Sequence, residues 1–125
     1  MTAQHAFSFT SDSRAAGAAR EAVRSVSGDL PADVLSDVLL CVTELVTNSV
    51  SQPDLEADEQ FDLRLDLTPK RVRVELAERS RGVIVEQARR TPGDPSFGLY
   101  IVELLSDRWG VERDELRRVW FEKDL

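Results

Sequence analysis

The first apolar rhythm in the chain has a period of two: from His5 to Thr10 apolar and polar residues alternate through Phe7 and Phe9, which predicts an edge strand. After Ser11 the period lengthens. Ala15, Ala16, Ala19, Ala22, Val23 and Val26 share one face at roughly 100° per residue, so Ser11 or Asp12 caps a helix that Gly28 ends. Pro31 fits the first turn of a second helix. Its apolar arc is Val34, Leu35, Val38, Leu39, Val42, Leu45, Val46 and Val50, and Pro53 stops it. Asp37, Cys41, Glu44 and Asn48 fall opposite that arc. Glu44, Thr47 and Asn48 are spaced one turn apart, so the carboxylate and the amide project together and offer an acid and an oxygen ligand to something outside the core.

Beyond an aperiodic acidic loop over 54–60, the period of two returns. Phe61, Leu63, Leu65 and Leu67 alternate with charged residues, and after a Thr68-Pro69-Lys70 turn so do Val72, Val74 and Leu76, which predicts a hairpin with one buried face. From Arg79 to Phe97 no period survives among four arginines, two glycines and two prolines, and a stretch of that length reads as a lid or a disordered segment. Gly98 opens a third helix whose apolar residues Leu99, Ile101, Val102, Leu104 and Leu105 leave a thin polar stripe at Tyr100, Glu103 and Asp107, predicting burial on most sides. Trp109 and Val111, then Val119 and Phe121, mark two closing strands around the charged turn 112–115. The order predicts an α+β fold: a two-layer α/β sandwich with helices on one face of a mainly antiparallel mixed sheet.

At 125 residues and 42% hydrophobic, the chain is the size of one domain and buries a core without disulfides or metals, so 1–125 is expected to be a single domain. Twenty-three acidic against sixteen basic side chains leave a net charge of −7, which excludes a broad basic nucleic-acid surface and favours a protein partner or a metal-bound nucleotide. One cysteine, Cys41, forms no intrachain disulfide, and no apolar run is long enough to span a membrane. The start Met1 to His5 lacks a signal pattern, so the expected location is the cytoplasm. No His/Cys/carboxylate cluster suggests zinc, and no second nucleophile–base pair suggests a hydrolase triad.

The string Glu44-Leu45-Val46-Thr47-Asn48-Ser49-Val50 resembles the N-box of GHKL-type ATPases, and among them that of the bacterial anti-sigma-factor serine/threonine kinases. Two further stretches extend the likeness. Pro95-Ser96-Phe97-Gly98-Leu99 resembles the Gly-x-Gly-Leu turn that lays backbone amides on phosphates, and Glu78 stands after the second hairpin strand where that family carries an Asp that accepts from the adenine amino group. The closing Asp107 to Val111 and Val119 to Phe121 resemble its last hairpin.

The resemblance implies ATP and Mg²⁺ as cofactors, with Asn48 as metal ligand, Glu44 as general base, and Glu78, Ser96, Gly98 and Leu99 around the nucleotide. It implies a kinase that phosphorylates an anti-anti-sigma partner and sequesters a sigma factor, regulating transcription without touching DNA, and in a family whose members are often dimers. Two departures leave an alternative open. Ser96 replaces a glycine, adding a Cβ where backbone must approach closely, and Glu78 adds a methylene to the adenine anchor. The alternative is a binding module of the same fold that regulates a protein by docking, without nucleotide. A histidine-kinase catalytic domain is disfavoured, because the only histidine is His5 and no phosphoacceptor hairpin is present.

Overall fold

The computed structural model describes residues 2–50, 60–79, 99–113 and 116–125. Strand β1 (Ala3–Thr10) leads into helices α1 (Ala15–Val26) and α2 (Ala32–Val50). There follow β2 (Gln60–Leu67), β3 (Arg71–Arg79), α3 (Tyr100–Leu105), β4 (Arg108–Arg113) and β5 (Leu116–Asp124). The strands form one sheet in the order β1-β2-β3-β5-β4, and each of its pairings is antiparallel. The predicted segment 79–97 and loop 54–60, with Pro53, Ser96 and Gly98, lie almost wholly outside the described residues.

Local chemistry explains the element boundaries. Asp12 accepts from the Arg14 amide through Oδ1 (2.9 Å) and from the Ala15 amide through its carbonyl (3.1 Å), turning the chain from β1 into α1. The Pro31 carbonyl accepts from the Leu35 amide at 2.9 Å, so α2 starts where a proline is tolerated. In the β2–β3 turn Thr68 Oγ1 accepts from the amides of Lys70 and Arg71 at 3.2 and 3.0 Å.

The helices cover one face of the sheet. Ala15, Ala19 and Val23 of α1 and Val38, Val42, Leu45 and Val46 of α2 meet Phe61, Leu63, Leu65, Val72, Val74, Leu76, Val119 and Phe121, all buried. Each such large side chain contributes about 1.5–3 kcal/mol when removed from water. The small residues of α1 let α2 approach closely, and Arg20 Nη1 donates to Thr43 Oγ1 at 3.1 Å across the pair.

Two expectations are corrected. The third helix spans six residues and is not buried on most sides: Tyr100 is 39% and Leu104 59% exposed, while Leu99 and Val102 alone are fully buried. Helix α3 meets α2 and β4 with one edge only, so its opposite flank faces out. The stripe Asp37, Cys41, Glu44 and Asn48 does not face open solvent either. Cys41 is 1% exposed, and the stripe runs against β5.

The other face of the sheet carries no helix among the described elements and is tiled with ion pairs. Trp109 points to the core, whereas Trp120 lies on this outer face, under the Arg73 guanidinium at 4.4 Å and over Gly110. A Cβ at Gly110 would stand 2.9 Å from the indole, which is why glycine occupies that strand position. Among the described residues no helix is long and apolar enough to cross a membrane.

Candidate functional site

The candidate site lies where the C-terminal part of α2 passes the ends of β3 and β5. In the β3–β5 register Glu78 stands opposite Arg117, and both are in phase with core residues: Glu78 with Leu76 and Val74, Arg117 with Val119 and Phe121. Alternation therefore aims an acid and a base inward from adjacent strands. Both are buried, Glu78 at 4% and Arg117 at 7% exposed, and Arg117 Nη1 donates to Glu78 Oε1 in a close ion pair. A buried charge is tolerated only when paired, and here each supplies the other's partner.

The second arm of the same guanidinium reaches the helix. Arg117 Nη2 donates to Asn48 Oδ1 at 3.3 Å, so three elements meet on one planar cation. Toward the other end of the stripe, Lys123 Nζ stands 3.1 Å from Asp37 Oδ2 and donates to the Leu105 carbonyl at 2.8 Å. Asp37 and Asn48 are about 16 Å apart along a helix axis, and Lys123 and Arg117 about 20 Å apart along a strand. Those similar spans allow α2 to lie antiparallel along β5, pinned by a cation at each end.

Between the two pins sit Cys41 and Glu44. Burial, and after it the Asp37 charge, push the Cys41 thiol up to about 12, so it stays a neutral thiol at physiological pH. Glu44 is half-buried and has no hydrogen bond or ion pair among the described residues. Thr47 is exposed, one residue before Asn48.

The sequence-derived residues are thus only partly assembled. Asn48 and Glu78 meet on Arg117, and Glu44 lies one turn before Asn48 on the same helix. The Leu99 side chain is fully buried in the core. Ser96 and Gly98 are outside the described residues. Arg117 was missed by motif matching. Its signal was its phase with Val119 and Phe121, which separates it from Arg118 on the outer face.

A model of the histidine kinase-like ATPase domain matches residues 9–123. The chain belongs to that family. The solved structure of the RsbU and RsbW domains of Rv1364c from Mycobacterium tuberculosis shares the fold, with a TM-score of 0.75 at 13% identity, covering 97% of this chain and 31% of that one. This chain therefore spans about a third of the length of that protein's chain. No curated protein matches it in sequence.

The family implies a nucleotide with Mg²⁺, and the described residues do not fit that pair as arranged. Mg²⁺ binds through oxygen atoms, but Asn48 Oδ1 already accepts from a guanidinium. Two unit positive charges about 4 Å apart repel by about 4 kcal/mol at an effective dielectric of 20, and a divalent ion roughly doubles this. The carboxylate proposed to anchor adenine is likewise committed through Oε1 to a permanent cation.

Proposed function

We propose that the chain is a regulatory protein of the anti-sigma-factor type that controls a protein partner by docking, its nucleotide pocket taken over by one of its own side chains. The observation that carries this reading is the Arg117 guanidinium, which holds both Glu78 and Asn48, the two groups the family resemblance assigns to adenine and to metal. The partner in this reading is a sigma factor, released by competition with an anti-anti-sigma protein, and the protein works in the bacterial cytoplasm without contacting DNA. The net charge of −7 supports a protein surface over a nucleic-acid one.

A titration of Mg-ATP into the purified protein, followed by calorimetry, tests the reading. No saturable heat is expected up to millimolar nucleotide. Saturable binding in the micromolar range would overturn it.

One observation favours a second reading, a Mg-ATP-dependent serine/threonine kinase acting on the anti-anti-sigma partner. Glu44 stands one helical turn before Asn48 and is held by no cation among the described residues, as a general base for a serine hydroxyl must be. In that reading Asn48 ligates Mg²⁺, Glu78 takes the adenine, and Ser96, Gly98 and Leu99 border the phosphates. The same titration separates the two, because a kinase must bind the nucleotide it consumes.

A further inference from the structure

We infer that Arg117 is the specificity-determining residue of this pocket: it excludes metal-nucleotide, and a short neutral side chain in its place opens the site to Mg-ATP. The inference deepens the docking reading and rests on it.

Arg117 is held from two directions. Its planar fork donates to Glu78 on the neighbouring strand and to Asn48 on the covering helix, so moving the guanidinium breaks both bonds together. It is buried between those acceptors, away from water that would compete for its donors. A nucleotide entering here would have to separate Arg117 from Glu78 and leave two buried charges without each other, which is strongly unfavourable. A metal ion would have to share the Asn48 oxygen with a cation of the same sign.

Removing the guanidinium reverses each term. The Asn48 oxygen no longer accepts from Arg117, the Glu78 carboxylate loses the Arg117 guanidinium at Oε1, and the site becomes more negative by one charge, which attracts Mg²⁺. The space vacated is that of the largest cationic side chain, at the junction of β3, β5 and α2. Glu44 keeps its place beside it on α2.

The test titrates Mg-ATP into the native chain, Arg117→Ala and Arg117→Ala/Asn48→Ala, with circular dichroism and thermal unfolding to establish that each is folded. Arg117→Ala is expected to bind at least about tenfold more tightly than the native chain. That gain should vanish when Mg²⁺ is chelated and again when Asn48→Ala is added. Should the alanine variant not fold, Arg117→Gln, which is shorter than arginine, uncharged and able to donate to Glu78, is titrated in its place with the same expectation. A folded variant that binds no better than the native chain overturns the inference and leaves the docking reading standing. Micromolar binding by the native chain overturns the docking reading and, with it, the inference. A gain that survives chelation or the loss of Asn48 overturns the metal part of the inference.

Discussion

Cys41 shows how little a residue's place on a helical wheel says about its surroundings until the neighbouring elements are known. It shares a stripe with Asp37, Glu44 and Asn48, yet it is buried, and its thiol is pushed up to about 12 by burial and by the nearby Asp37 carboxylate. A folded-state pKa raised above the unfolded value stabilises below the unfolded value, near 8.5, and that stability fades as pH climbs toward 12. A maleimide or iodoacetamide probe at pH 8 is therefore expected to label Cys41 only at the rate of unfolding, with labelling accelerated by urea. Prompt stoichiometric labelling of the native protein would refute its burial. Arg117 makes the complementary point. Glu44, Asn48 and Glu78 are legible because they stand in recognisable strings, whereas Arg117 is one of two consecutive arginines in a charged strand. Only the phase set by Val119 and Phe121 tells which of the two turns inward, and only the β3–β5 register tells that it meets Glu78.

At the scale of elements, the hairpin β2–β3 and the helices α1 and α2 were written plainly in the sequence, because each repeats one period over eight or more residues. Helix α3 was not. Its run of Leu, Ile and Val mimics an all-round buried helix, but six residues make fewer than two turns and pack by one edge. A helix so short is not stable alone. Its attachment runs through Lys123, which donates to the Leu105 carbonyl at its C-terminal end and pairs with Asp37 on α2. Lys123→Met keeps the aliphatic stem and removes the cation, with an expected cost of about 1–3 kcal/mol. The amides of Glu103 and Ser106, bonded to the Leu99 and Val102 carbonyls, should exchange with solvent sooner in the variant, while those of β2 and β3 keep their relative protection. Unchanged protection at Glu103 and Ser106 would show that packing of Leu99 and Val102 holds the helix unaided.

For the whole molecule, the sheet divides two kinds of cohesion. Its covered face is apolar, and its outer face is sewn by charge across β3, β5 and β4. Glu122 of β5 accepts from Arg108 Nε of β4 at 2.8 Å and from Arg73 Nη1 of β3 at 3.1 Å, with Arg71 Nη1 at 3.6 Å. Arg108 also pairs with Asp124, and Arg118 with Glu75 at 3.4 Å. The hydrogen bond from Arg108, and with it the Arg73 and Arg71 charges, hold the Glu122 carboxyl below the usual carboxylate range against the cost of burial. A lowered folded-state pKa means stability that is complete above the unfolded value of about 4.3 and is lost as pH falls through the folded value. With 13% of its side chain exposed, Glu122 is shielded enough for the effect to register in global stability. Glu122→Gln is expected to lose about 1–3 kcal/mol at pH 7, where the ionised carboxylate serves several guanidinium donors. As pH falls through the lowered folded value its denaturation midpoint should converge on that of the native protein, because protonation then removes from the native protein the charge that the substitution has already removed. Urea unfolding at a series of pH values between 7 and 3 measures this directly. If the gap between the two proteins stays constant across that range, the three strands are held together by apolar packing on the covered face and the charged ladder is only its solvated exterior.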